Sequence, residues 1–125
     1  MTDETPREYD REYTDRLSDV TRVRLGYSHK RGDVTRFVVQ LEYCVEGEWR
    51  EVVRYDHDPA SEFGHDVTEE GLHIDVYRDD EQYRTEYVSP PMPAGVALDR
   101  AEDHLSNNLE TFTIRFEQWH GIRNR

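Results

Sequence analysis

Lysine is almost absent from this 125-residue chain: Lys30 stands alone beside fifteen arginines. Cysteine is nearly absent too, and a lone Cys44 excludes any internal disulfide. Cys44 sits in an apolar alternating pattern without an activating neighbour, which marks a small buried or half-buried side chain rather than a reactive thiol. No apolar run is long enough to cross a bilayer and no signal-peptide pattern is present, so a cytoplasmic protein is expected. A Gly-rich phosphate loop, a Gly-x-Ser-x-Gly elbow, a Cys-x-x-Cys pair and a dinucleotide fingerprint are all missing. The enzyme classes that need them have no support, and no cofactor is expected.

Apolar side chains are sparse as well. Leu, Ile, Val and Phe make up 26 of 125 residues, which with a net charge of −12 lies close to the compositional border of disorder. The 28 acidic residues against 16 basic ones describe a salt-adapted surface and point to an extreme halophile. Dense carboxylates keep such a chain soluble, and at low ionic strength they repel one another and oppose compaction. Salt relieves this, because the Debye length shrinks from ~10 Å at 0.1 M to ~3 Å at 1 M and apolar burial strengthens.

What is present reads as a single α+β domain over residues 19–121, with a charged arm at 1–18 and a short tail at 122–125. In the arm, Thr5-Pro6-Arg7-Glu8 has capping-box spacing, and Tyr9, Tyr13, Leu17 and Val20 recur at helical steps. A short helix or a disordered arm is expected there. From Val20 the period becomes two: Val23, Leu25 and Tyr27 alternate with Arg22, Arg24 and Gly26. Lys30-Arg31-Gly32-Asp33 supplies a turn, so its Arg-Gly-Asp tripeptide is hairpin chemistry rather than an adhesion signal. Phe37, Val39, Leu41, Tyr43 and Val45 line one face of the next strand, and Trp49, Val53 and Tyr55 one face of the strand after it. A turn at Glu46-Gly47-Glu48 pairs Val45 with Trp49, Leu41 with Val53 and Val39 with Tyr55. A tighter Glu46-Gly47 turn is the alternative, and it mismatches those faces.

Residues 56–71 lack a period and read as a loop with a short extended piece at His65 to Val67. Leu72, Ile74 and Val76 then point inward while His73, Asp75 and Tyr77 point outward. Asp79-Asp80-Glu81 turns the chain into a strand from Gln82 to Val88, and prolines 90, 91 and 93 stop the sheet. Leu98, Ala101, Leu105, Leu109, Phe112, Phe116 and Trp119 recur at three- and four-residue steps, predicting one helix from about 96 to 120 with Gly121 as its cap. Three heptads with large aromatics fit a helix laid on a sheet better than a coiled-coil dimer face. The expected fold is thus a mostly antiparallel sheet of about five strands with one long C-terminal helix, as a monomer or homodimer.

Ionisable side chains concentrate at Asp56-His57-Asp58, His65-Asp66 and His73-Ile74-Asp75. Arg54 and Asp56 alternate onto one strand face and His57 opens the loop that carries His65. Arg54 can hold a phosphate, Asp56 can orient an imidazole, and His57 or His65 can move a proton, as metal-independent RNA cleavage needs. In a chain this charged, a solvated salt-bridged surface is the plainer reading. His57, His65, His73, Asp66 and Asp75 are also ligand types that surround a divalent metal, but their spacing matches no recognised metal motif, so no metal is expected, with His65, His73 and Asp75 as the lesser alternative. His29, His104 and His120 are expected to face solvent. Acidity argues against long-range attraction of nucleic acid, but in molar salt arginine forks and aromatic stacking still bind at short range; Arg22, Arg24 and Arg36 permit such a groove.

The run Phe37-Val38-Val39-Gln40-Leu41-Glu42-Tyr43, then Trp49 and Val53-Arg54-Tyr55-Asp56 with His57 and His65 beyond, resembles a group of small haloarchaeal domains without an assigned activity. It is also distantly similar, over about residues 34–119, to compact toxins of toxin–antitoxin operons. That resemblance implies a ribonuclease role and a cognate antitoxin as partner. The rival expectation is a non-catalytic protein-interaction module using Tyr9, Tyr13, Leu17 and the terminal helix.

Folding should depend on salt. Circular dichroism melts across a potassium chloride series should show the melting temperature rising steeply between about 0.1 M and 3 M, and equal values at both ends would remove the charge-screening argument.

Overall fold

The computed structural model describes residues 9–62 and 64–122. Six strands follow one another as an antiparallel meander: β1 (Arg11–Arg16), β2 (Thr21–Lys30), β3 (Asp33–Val45), β4 (Glu48–His57), β5 (Leu72–Arg78) and β6 (Glu81–Ser89). A one-turn helix, α1 (Val67–Glu70), precedes β5, and α2 (Ala94–Asn107) and α3 (Leu109–Trp119) follow β6. Three hairpins close through two-residue turns whose central residues are all left-handed: Arg31-Gly32, Glu46-Gly47 and Asp79-Asp80. Such turns match the right-handed twist of the strands they join.

The core lies between one face of the sheet and the two long helices. Phe37, Val39 and Leu41 of β3, Val53 and Tyr55 of β4, and Ile74 and Val76 of β5 are fully buried against α2 and α3. Ala94, Ala97 and Ala101 let α2 approach the sheet closely; Leu98, Leu105, Phe112 and Phe116 complete the seam, with Leu109 and Trp119 half-buried at its margins. The seam is therefore buried within one chain. Among the described residues, the sheet's other face, called outer below, carries no helix.

Three expectations change. Residues 11–16 are a strand, not a helix: β1 pairs along β2 from Arg11↔Tyr27 to Arg16↔Arg22, since the edge of β2 offers backbone hydrogen bonds that an isolated short helix lacks. Thr5 to Glu8 lie outside the described residues. The sheet accordingly has six strands rather than about five. The long helix is two, divided at Asn108, whose backbone at φ −119° and ψ 13° leaves helical geometry while its side-chain amide donates to the His104 carbonyl at 2.8 Å.

The β3–β4 register also combines both alternatives. Val39↔Tyr55 and Leu41↔Val53 hold as expected, but the turn is the tighter one, pairing Val45 with Glu48 and Cys44 with Trp49. The mismatch is absorbed by a bulge at Val52, where Leu41↔Val53 is followed by Glu42↔Glu51. Trp49 consequently moves to the outer face, where Arg22 lies 4.2 Å and Arg16 5.4 Å from its ring centre.

Among the seam positions, Leu105→Ala should cost about 2–5 kcal/mol and Phe116→Ala about 3–5 kcal/mol, with half-buried Leu109→Ala clearly below both, in melts at fixed high salt. A Leu109→Ala loss equal to that of Leu105→Ala would contradict the placement of the α2–α3 break.

Candidate functional site

On the outer face, the two-residue period of β4 and β5 sets Arg54 and Asp56 beside His73, Asp75 and Tyr77, with Arg54 directly opposite Asp75. Asp56 and Asp75 are only 8% and 7% exposed, deep burial for carboxylates. The lid over them is the segment that follows β4. Asp58 N–H donates to the His65 carbonyl at 2.8 Å and closes the loop, and Gly64 passes so near that a Cβ there would sit 2.5 Å from the Asp58 carbonyl oxygen. Asp66 then caps α1 by accepting from Thr68 N–H, and the instructive signal in the sequence was Asp66 followed at the third position by Glu69. The expected extended piece at 65–67 is this cap and helix start.

His65 is thereby held among carboxylates. Its Nε2 lies 3.3 Å from Asp75 Oδ1 and 4.0 Å from Asp56 Oδ1, and its Nδ1 lies 3.2 Å from Glu70 Oε1. The hydrogen bond to Asp75, opposed by burial and reinforced by Glu70, raises the imidazole to about 9. Burial works to raise Asp75, but hydrogen bonds from His65 and Thr85 outweigh it and hold that carboxyl below its ordinary value. Burial raises Asp56. Two neighbouring carboxylates thus have their protonation pushed in opposite directions.

Of the four predicted catalytic residues, Arg54, Asp56 and His65 come together and His57 does not. His57 faces the core, 5.9 Å ring-to-ring from Phe37, and its Nδ1 accepts Val67 N–H at 3.1 Å at the start of α1. Burial lowers its pKa, so it is a neutral structural imidazole. The alternative metal trio is divided: among the described residues, ligand atoms converge within 4.8 Å as Asp56, His65 and Asp75, and as His65, Glu70 and His73. His73 stacks on His65 at 5.6 Å, nearly parallel. Asp66 is engaged as the α1 cap.

A family model described as a domain of unknown function, DUF7718, matches residues 3–122. The chain belongs to the DUF7718 family. No curated protein and no solved structure matches it.

Next to this cluster, the DUF7718 domain carries a groove of about 320 Å³ on the same face, lined by Tyr9, Arg24, Arg36, Gln40, Arg54 and Asp58. Tyr9 reaches it because Gly26 leaves space for its ring, 2.9 Å from where a Cβ would stand. Arg36 lies 4.0 Å over that ring and 3.6 Å from Asp58. Sequence spacing missed Tyr9, whose helical periodicity pointed elsewhere. Two of the three histidines expected in solvent are packed: His104 Nδ1 meets the Tyr55 hydroxyl at 2.8 Å, and His120 stacks on Phe116 at 4.0 Å. His29 is exposed as expected. No helix is long and apolar enough to cross a membrane among the described residues.

Because the folded His65 titrates near 9 against 6.5 for the free side chain, its stabilising contribution is complete below about pH 6.5 and is lost as pH rises through about 9. Melting temperatures of the parent should fall over that window more than those of His65→Gln. Parallel curves would show that the imidazolium contributes nothing.

Proposed function

We propose that this domain acts on RNA across the outer face of its sheet, as a toxin-like member of a toxin–antitoxin pair in the cytoplasm of a salt-adapted cell. The observation that supports this reading is the gathering of Arg16, Arg22, Arg24, Arg36 and Arg54 on or over one uncovered sheet face, together with the aromatic rings of Tyr9 and Trp49. Guanidinium planes stacked on rings and anchored by carboxylates, as Arg22 is by Glu42 at 2.7 Å, keep their forks oriented for phosphate oxygens. Unpaired bases stack on such aromatic platforms with little sequence preference, and these short contacts persist when salt removes long-range attraction.

Within that face, Arg54 would hold the scissile phosphate. His65, protonated at neutral pH, would donate to the leaving 5′ oxygen as the neighbouring 2′-hydroxyl attacks phosphorus and loses its proton to water, and Asp56 would align the imidazole. His57 takes no part, since it faces the core. The rival reading, a non-catalytic interaction module, draws support from an apolar groove of about 540 Å³ between β1 and the helices, where Tyr13 and Leu17 are exposed beside Leu25, Leu105 and Leu109. Its acidic rim, Asp15 and Glu102, would suit an amphipathic helix with basic flanks.

The deciding measurement is fluorescence anisotropy with a labelled single-stranded RNA in molar potassium chloride, paired with growth arrest on expression in a halophilic host. The parent should bind and arrest growth; Arg22→Ala and Arg54→Ala should each weaken RNA binding about tenfold, the loss of one charge-assisted contact. His65→Ala should relieve arrest while sparing binding. A parent that neither binds RNA nor slows growth would reject the RNA reading and leave the apolar groove as the functional surface.

A further inference from the structure

We infer that Asp56, His65 and Asp75 form a binding site for a divalent first-row metal ion. This goes beyond the RNA reading and does not depend on it: an ion on Nε2 would replace the proton that His65 donates in that reading, so the metal-bound and acid forms of His65 are alternatives. The two carboxylates project from adjacent strands, β4 and β5, and both face Nε2 of one imidazole, with the ligand atoms of all three residues within 4.8 Å of one another. A frame of paired strands holds such positions better than a loop does.

The surroundings of the three residues carry the inference further than their convergence alone. Nδ1 of His65 lies 3.2 Å from Glu70 Oε1, so a proton on Nδ1 directed at Glu70 leaves the Nε2 lone pair aimed between Asp56 and Asp75. A carboxylate on the far nitrogen is the usual way in which a metal-bound histidine has its tautomer and ring plane fixed. Asp75 is itself oriented: the Thr85 hydroxyl donates to Oδ1 at 2.7 Å and the Gln82 amide at 3.4 Å. Asp56 has weaker engagement, accepting from His65 N–H at 3.5 Å. Two carboxylates more than nine-tenths buried favour positive charge between them; without an ion Arg54 and the His65 imidazolium supply it, and a bound ion would take the place of the Nε2 proton.

The competing triad, His65 with Glu70 and His73, is the poorer cage. The His65 and His73 rings are stacked within 13° of parallel, so their in-plane lone pairs run side by side rather than converging. One imidazole nitrogen with two carboxylate oxygens suits zinc, manganese or ferrous iron, and three protein ligands leave coordination positions for water.

The test uses the full chain, stripped with chelator and held in molar potassium chloride, with Mn²⁺ alone as the probe. Calorimetry should read one equivalent bound, and the melting temperature should rise with Mn²⁺ concentration, as for any ligand that prefers the folded state. Pulsed electron paramagnetic resonance of the bound Mn²⁺ should show coupling to a single imidazole nitrogen. Asp56→Asn and Asp75→Asn should weaken binding at least tenfold, Glu70→Gln by about 10–100-fold as an outer-shell partner, and His73→Ala by less than twofold. Absence of binding by the parent overturns the inference, as does bound Mn²⁺ without nitrogen coupling, and both outcomes are read without any variant. Loss of binding in His73→Ala with retention in Asp75→Asn, or coupling to two nitrogens, would move the ion to the other triad and likewise overturn it.

Discussion

A six-stranded sheet has two faces, and the helices of this chain cover one. Every other feature of the molecule answers to that constraint. The covered face is built from Val, Leu, Ile, Phe and Tyr in the ordinary way, but no helix among the described residues completes the outer face, whose side chains keep one another in order. It does so with long planar cations laid on rings: Arg16 and Arg22 on Trp49, and Arg36 on Tyr9. Carboxylates of Glu42 and Asp58 hold two of these arginines from the side. Lysine does this badly, because its compact ammonium neither stacks nor forks. The near-exclusive use of arginine therefore has a structural reason on this face.

The bulge at Val52 is the small irregularity that makes the arrangement possible. Without it the tight Glu46-Gly47 turn would still leave Trp49 outside, but Leu41 would pair with Val52, so Val53 and Tyr55 would turn away from the helices and Arg54 and Asp56 toward them. With it, Val52 and Val53 are both buried, and the strand changes face within two residues. Alternation and turn residues in the sequence showed β2 to β6, the places of the three hairpin turns, though the preferred Glu46-Gly47-Glu48 turn is one residue too long, and the division of His73 and Asp75 from Ile74 and Val76. It did not show the bulge, because Trp49, Val53 and Tyr55 share a period of two and one extra residue in a strand has no compositional mark. Nor did it show β1: Tyr9, Tyr13 and Leu17 have helical spacing, and only the free edge of β2 decides for extension.

The candidate site divides in the same way. That Arg54 and Asp56 share a face was legible from alternation, and so was the pairing of His73 with Asp75. That His65 would close over them was not, because it depends on how the 58–66 segment returns: the Asp58 to His65 backbone bond, the close pass at Gly64 and the Asp66 cap on α1. The cap had a readable signature. The return did not, since the hydrogen bonds that fix it join residues with no shared period.

His57 and His65 show what the two faces do to one side chain. They are eight positions apart, and each lies close to an aspartate. On the covered face, burial beside Phe37 drives His57 toward the neutral form, and its nitrogen becomes an acceptor that fixes the first residue of α1. On the outer face, burial also opposes charge on His65, but three carboxylates overrule it. The sign of each shift follows from which polar groups the sheet face supplies, not from depth alone. The proposed chemistry accordingly rests on the outer face: on the covered face His57 becomes part of the packing, whereas Asp56 and Asp75 retain a demand for positive charge that a proton on His65 or a metal ion can each satisfy.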